Sequence, residues 1–253
     1  MNVIRQQLLD KGYCVANGLD AATIDTLRSQ FAAVFDGIAQ DHGVGRVQSD
    51  ADLIRLYQQR KDLWVAAVDQ IPYLPQLLVH VADRRLLALA SDAGIRFPAI
   101  SGFGVSLLVN MPSDDARLYR PHQDIAFIPG SLNGITIWVP LQDSPLPLGP
   151  LEVVPGSHQR GLWPTNGATD VKKSDLIPPV PEEAFQPIPI NRGQCIVFSK
   201  FLLHRSGRNR TSSVRYSLQF RYNDLASPEY RRRNLTFGKL DPKDARFRYE
   251  IDV

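Results

Sequence analysis

The spacing of apolar residues along the 253-residue chain changes near residue 96. Before that point apolar side chains recur at helical intervals. In LDAATIDTLRSQFAAVFDGIA, Leu27, Phe31 and Phe35 return every four residues, which lines one helix face, and Asp20 stands where an N-cap belongs. The stretch DLWVAAVDQIPYLPQLLVHVADRRLLALASDAG keeps the helical spacing, and Pro72 and Pro75 are expected to break it into two or three pieces. GYCVANG, just ahead of the first long helix, reads as a short strand. Beyond residue 96 come short β-rich runs separated by Gly and Pro: FGVSLLVNM, GITIWVPL, GPLEVVPGS, QCIVFS and VRYSLQFRY. Several such runs with turn signals and no helical pattern between them predict an antiparallel sandwich or barrel. Residues 161–186, rich in Pro, Asp and Lys, read as a long loop of the kind that often forms lids or binding segments. The expected fold class is therefore mainly β with flanking helices. It is laid out as one domain over 1–253: a mostly helical part (1–95), a β core (96–225) and a C-terminal extension (226–253).

Composition narrows the function classes without choosing one. Hydrophobic residues make up 43% and charged residues 22%, an ordinary globular balance. A net charge of +3 is too small for a dedicated nucleic-acid binder, and the run Arg231-Arg232-Arg233 reads as a solvated face. Cys14 and Cys195 lie 195 − 14 = 181 positions apart, in no metal-like spacing, and are expected as free thiols. The first residues lack a signal-peptide pattern, and no apolar run approaches the ~20 residues of a membrane span. The expectation is a cytoplasmic protein with a small-molecule partner, neither nucleic acid nor membrane, and of undetermined oligomeric state.

Chemistry concentrates in two places. In RPHQDIAF, His122 and Asp124 stand two apart, so on a strand both would project to one side. Alone, the pair is compatible with an exposed polar couple or with two ligands of a metal. Further on, an apolar run leads to His204, and after RSGRNRTSS the run VRYSLQFRY alternates. Val214, Tyr216, Leu218, Phe220 and Tyr222 take one face, and Arg215, Ser217, Gln219 and Arg221 the other. Alternation fits a water-facing polar row and equally a polar row lining an internal pocket. Two His and one carboxylate suit non-heme Fe(II) and leave positions open for a chelating co-substrate and dioxygen. A co-substrate with a far carboxylate calls for a planar, permanently charged Arg with a hydroxyl beside it, a description that Arg215 and Ser217 fit.

These elements resemble the phytanoyl-CoA dioxygenase (PhyH-like) family of Fe(II)- and 2-oxoglutarate-dependent oxygenases. The matching pieces run in order: HQD, then TIWVPLQDSPLPLGPLEVVPGSH, then the His of LLHRSGRNRTSSVR, with an Arg 215 − 204 = 11 residues beyond it. The resemblance covers roughly residues 100–223 and implies a double-stranded β-helix (jelly-roll, cupin-like) core. It implies His122, Asp124 and His204 as metal ligands and no catalytic residue beyond the metal centre. It further implies Arg215 and Ser217 as the 2-oxoglutarate anchor, with Fe(II) as cofactor and 2-oxoglutarate and O2 as co-substrates. Asn110 and Thr136 are candidates for co-substrate contacts, and Trp138, Arg120 and Arg205 for the substrate pocket. The implied reaction is hydroxylation of a C–H bond, with succinate and CO2 released. Basic residues near both ligand segments hint at an anionic substrate. Desaturation or ring formation begins with the same hydrogen abstraction and stays open, as does a non-catalytic jelly-roll that only binds a ligand. A zinc hydrolase would leave Arg215 and Ser217 without a purpose. Arg205 replaces the Gly that many relatives carry directly after the distal His. His158, after Pro155-Gly156, reads as a turn residue rather than a ligand, and His42 and His80 have no partner pattern.

Overall fold

The computed structural model describes residues 2–128 and 130–232. The N-terminal part holds α1 (Val3–Lys11), β1 (Tyr13–Asn17), α2 (Ala21–Asp41), α3 (Asp50–Gln59), α4 (Lys61–Gln70), α5 (Pro75–Leu78) and α6 (Arg84–Asp92). Local chemistry accounts for their limits. Asp20 caps α2 by accepting from Thr23 N at 2.7 Å, and Ile24, Leu27, Phe31, Phe35 and Ala39 form its buried stripe. Pro72 falls in a single tight turn, Ile71–Tyr73, and Pro75 opens α5, positions where its missing N–H costs nothing.

The β part comprises β2 (Pro98–Asn110), β3 (Ile135–Pro140), β4 (Leu151–Val153), β5 (Gln186–Pro187), β6 (Gln194–Ser199), β7 (His204–Ser206) and β8 (Arg215–Asp224), followed by α7 (Pro228–Arg232). One sheet runs β1-β6-β3-β8-β2 and a smaller one β5-β4-β7, with the pairings antiparallel throughout. This is the mainly-β, jelly-roll architecture with flanking helices that the sequence implies. Loop 161–186 carries an isolated Thr165–Leu176 bridge and a turn at Glu182–Ala184 before β5 begins. Of the C-terminal extension, residues 233–253 lie outside the described residues, as does Pro129 of the Pro129-Gly130 turn.

Side-chain parity on the large sheet decides what each face does. Ile135, Ile137 and Val139 of β3 and Tyr216, Leu218, Phe220 and Tyr222 of β8 pack with the helices in one core that includes Phe31, Phe35 and Trp64. Trp138, Ile196 and Phe198 point the other way and meet Leu151 and Val153 of the small sheet, forming the core between the sheets. Every residue of β8 is buried, because β8 lies between β3 and β2 with layers on both faces. Its polar row, Arg215, Ser217, Gln219 and Arg221, therefore faces the interior and not water. Cys14 and Cys195 are free and buried on the paired strands β1 and β6. Burial pushes their thiols up, to about 11 and about 12.

Candidate metal centre

His122 and His204 are joined first by backbone. Each N–H donates to the other's carbonyl at 3.0 Å, which brings β7 alongside the 120–124 segment. Their ring centroids lie 4.2 Å apart. Both imidazoles are oriented through Nδ1, which donates to Arg120 O at 2.7 Å in His122 and to Leu202 O at 2.9 Å in His204. Nε2 of each ring is thereby left to face the same point. Asp124 does not lie on a strand as the spacing predicts; it opens a tight turn, Asp124–Ala126. Gln123 is extended (φ −114°, ψ 131°), so His122 and Asp124 still face one way. Gln123 itself points oppositely, donating to Gly161 O at 2.8 Å and Phe201 O at 2.6 Å and accepting from Trp163 N at 2.7 Å. It ties the start of loop 161–186 to the centre.

Asp124 Oδ1 lies 3.5 Å from His122 Nε2 and 3.8 Å from His204 Nε2, and one ligand atom from each of the three residues lies within 4.8 Å of the others. All three side chains are buried. Burial and the neighbouring His122 push His204 down to about 3, which keeps its imidazole neutral and its Nε2 lone pair free. Burial would raise the Asp124 carboxyl. Arg221, His122 and His204 outweigh it and hold the group well below the usual carboxylate range. His204 Nε2 is buried without a hydrogen-bond partner. Two imidazoles, that of His204 held neutral, and an ionised carboxylate form a donor set suited to a divalent ion.

The second carboxylate oxygen is already occupied. Asp124 Oδ2 accepts from Thr136 Oγ1 at 2.5 Å and from Arg221 Nε at 3.1 Å. Thr136, a candidate for a co-substrate contact, thus spends its donor on Asp124. Arg221, read from sequence only as a member of the polar row, is the larger omission. The signal was its parity with Arg215; the register that sets it opposite Thr136 cannot be read from one sequence. Lys200 was not singled out either. It is fully buried, and its Nζ donates to Ser101 Oγ at 3.0 Å and Asn223 Oδ1 at 2.8 Å. Its stem crosses Gly134, where a Cβ would lie 3.0 Å from Lys200 Cδ. Burial lowers the ammonium to about 7. A lone lysine in the apolar run QCIVFSKF was the available sign.

Arg215 stands further along β8 on the same interior face. Its Nη2 donates to Asn110 Oδ1 at 2.7 Å and its Nη1 to Gly207 O at 3.4 Å, while its Nε is buried with no partner. Ser217 Oγ, two residues on, is likewise buried and unpartnered. A buried guanidinium and a hydroxyl with unused donors could hold an anion. Asn110 holds one arm of that guanidinium. Trp138 lies in the core between the sheets. Arg120 is exposed and paired with Asp175 at 2.6 Å. Arg205 follows His204 and projects to the opposite side. There it pairs with Glu152 at 2.6 Å and Glu182 at 2.7 Å and lies 4.1 Å over the Phe185 ring. These contacts clamp segment 182–187 onto β4. His158 Nε2 donates to Leu9 O at 3.1 Å, fixing the 157–160 turn to α1.

Residues 8–217 match the phytanoyl-CoA dioxygenase (PhyH) family. The chain belongs to that family. Among curated relatives, a phytanoyl-CoA dioxygenase of Arabidopsis thaliana is 31% identical over 135 residues, 51% of this chain and 46% of that protein. A methylphosphonate hydroxylase of Gimesia maris is 30% identical over 115 residues, 45% and 42% of the two chains. The chain thus spans about half the length of the curated relatives it matches. Among solved structures, the non-heme monooxygenase ThoJ shares the fold at a TM-score of 0.57 and 20% identity, covering 87% of this chain and 77% of its own. Iron and 2-oxoglutarate are the cofactors of this phytanoyl-CoA dioxygenase-type centre. The residues fit them: His204 Nε2 lacks a partner at the ligand cluster, and Arg215 Nε and Ser217 Oγ lack one further along β8. No helix among the described residues is long and apolar enough to cross a membrane.

Proposed function

We propose that the chain is an Fe(II)- and 2-oxoglutarate-dependent dioxygenase that hydroxylates a C–H bond of a small anionic substrate, releasing succinate and CO2. One observation carries the reading. Three convergent buried ligand atoms, tied through Asp124 to Thr136 and Arg221 on the interior face of the large sheet, stand near a buried, partly unsatisfied Arg–Ser pair further along β8 on that face. His122, Asp124 and His204 would hold the iron, and Arg215 with Ser217 the far carboxylate of 2-oxoglutarate. When bound, iron and 2-oxoglutarate would activate dioxygen, the oxidant of the reaction: one of its oxygen atoms ends in succinate and the other in the new hydroxyl group.

The chain's own residues do the rest. Leu202 O and Arg120 O hold the two imidazoles through Nδ1 so that their Nε2 atoms face the metal position. Asn110 and Gly207 orient the Arg215 fork, so the carboxylate meets a preset partner. The buried surroundings exclude water and strengthen each of these interactions. A zinc hydrolase would give the Arg215–Ser217 pair no work.

An acidic group on the substrate is supported by Arg117 and Lys172, neither of which has a carboxylate within ion-pair distance among the described residues. Lys172 Nζ lies 5.6 Å over the Tyr119 ring, which meets the His122 ring edge-on at 5.9 Å. Burial and Arg117 push the Lys172 ammonium down, against the pull of Asp170, Asp69 and Asp114. The relative named as a methylphosphonate hydroxylase supports the same reading.

The test is succinate release under air with Fe(II) and 2-oxoglutarate, across phosphonates, carboxylates, acyl thioesters, amino acids and sugar nucleotides. One acidic compound is expected to raise succinate above background and to gain one oxygen atom by mass. A product that instead loses two hydrogens would replace hydroxylation by desaturation. Stimulation by neutral compounds alone would overturn the anionic assignment.

A further inference from the structure

The two oxygens of Asp124 have separate tasks. Oδ1 faces the Nε2 atoms of both His122 and His204, while Oδ2 takes the Thr136 hydroxyl at 2.5 Å and the Arg221 Nε at 3.1 Å. Sheet geometry produces this division. Thr136 on β3 and Arg221 on β8 are direct cross-strand partners, so their side chains stand side by side on the interior face and reach one atom. The remaining guanidinium nitrogens are also used. Nη1 donates to Ser106 Oγ at 2.8 Å and Nη2 to Gln219 Oε1. Arg221 is 4% exposed and Asp124 2%. A planar fork held at all three nitrogens cannot swing away, and neither can the carboxylate it grips.

We infer that Arg221, with Thr136, is a positioning pair that restricts Asp124 to one-oxygen ligation and so leaves a further position on the metal for other ligands. The inference rests on the metal-site reading above and extends it. A carboxylate free to rotate could offer both oxygens to one ion, taking a position that a bidentate co-substrate needs. With Oδ2 committed to two donors, only Oδ1 is available. Lys200 contributes to the field at Asp124 but bonds Ser101 and Asn223, so it cannot take Arg221's place.

The test uses the full chain and Co(II) as a spectroscopic stand-in for iron. Affinity is read by equilibrium dialysis and coordination by the visible ligand-field bands. For Arg221→Met the expected loss of Co(II) affinity is about 10–100-fold, the usual effect of removing a group that supports a metal ligand. Altered ligand-field bands and weaker 2-oxoglutarate binding should accompany it. Lys concentrates its donors at one atom and cannot span acceptors set around a planar fork, so Arg221→Lys should recover little. Thr136→Val, nearly isosteric and expected to fold, should shift the same bands with a smaller loss. Adding guanidinium ion to Arg221→Ala should restore part of the Co(II) affinity, a rescue that a merely structural role would not give. Wild-type affinity and unchanged bands in Thr136→Val and Arg221→Lys would overturn the inference while leaving the metal site standing. If the wild-type chain binds no Co(II), or His204→Ala binds it equally well, the metal-site reading and the inference fall together.

Discussion

Arg215→Met should stabilise the protein without ligands and abolish its response to 2-oxoglutarate. Burial brings the Arg215 guanidinium from 12.5 down to about 10, and the side chain is 1% exposed, so solvent screening removes little of the effect. At about 1.4 kcal/mol per tenfold step, keeping this group charged costs roughly 3 kcal/mol. The folded value lies below the unfolded one, so the cost is present in full at every pH below about 10 and is relieved only above it. Met removes that cost but also the charge-assisted bond to Asn110, worth about 1.5 kcal/mol or more. The net gain of at most about 1.5 kcal/mol corresponds to roughly 3–6 °C in Tm for a chain of this size. For the wild type, 2-oxoglutarate at a hundredfold excess over its Kd, with Mn(II) present, should add about 2.7 kcal/mol by linkage. Calorimetry with and without Mn(II) and 2-oxoglutarate should therefore show a crossing. The variant melts higher without ligands, and the wild type gains on the addition of 2-oxoglutarate while the variant does not. A variant that melts lower without ligands, or that keeps the full 2-oxoglutarate shift, would refute the reasoning.

Lys200→Met tests the other buried cation. Its folded value of about 7 lies below the ordinary 10.5, so between those pH values the unfolded chain holds a proton that the folded one has lost. Wild type should gain stability relative to the variant as pH rises through that window; parallel urea-denaturation curves in EDTA would sink the idea. Gly207→Ala should destabilise by about 1–3 kcal/mol or more, because its Cβ would lie 2.2 Å from Pro150 O, and it should weaken 2-oxoglutarate binding through the displaced Gly207 carbonyl under Arg215. Thermal melts and a 2-oxoglutarate titration check both effects. Gln123→Leu leaves Gly161 O and Phe201 O without their donor, at about 1–3 kcal/mol. Limited proteolysis should then cut within 161–185 sooner, and an unchanged cleavage rate would count against the tether.

What could be read from the sequence depended on the range of the signal. Leu27, Phe31 and Phe35, the Asp20 cap and the proline breaks act within a turn or two of helix, and the structure places them as their spacing predicts. The alternation of β8 was equally legible, but its meaning was not. Whether Arg215 and Arg221 meet water or the interior depends on which strands flank β8, a long-range property. The convergence of His204 on His122 came from ordered motifs and family resemblance, since a backbone bridge spanning 82 residues (204 − 122) leaves no local trace. Thr136 and Arg205 show the limit from the other side. Strand parity put Thr136 on the interior face, yet only the register shows that its hydroxyl goes to Asp124. Arg205 is adjacent to a ligand in sequence and turned away from it in space, toward Glu152 and Glu182.

The account stands on one joint claim: His122, Asp124 and His204 form a metal site that also accepts 2-oxoglutarate anchored by Arg215. Anaerobic addition of Fe(II) and then 2-oxoglutarate tests it directly through the visible metal-to-ligand charge-transfer absorption of the chelate. The account predicts a band that requires both additions, saturates at one equivalent of each per chain, and is lost in Asp124→Ala. In Arg215→Met it should appear only at much higher 2-oxoglutarate. A band of equal strength in Asp124→Ala, or none in the wild type with one Fe(II) bound, would contradict it.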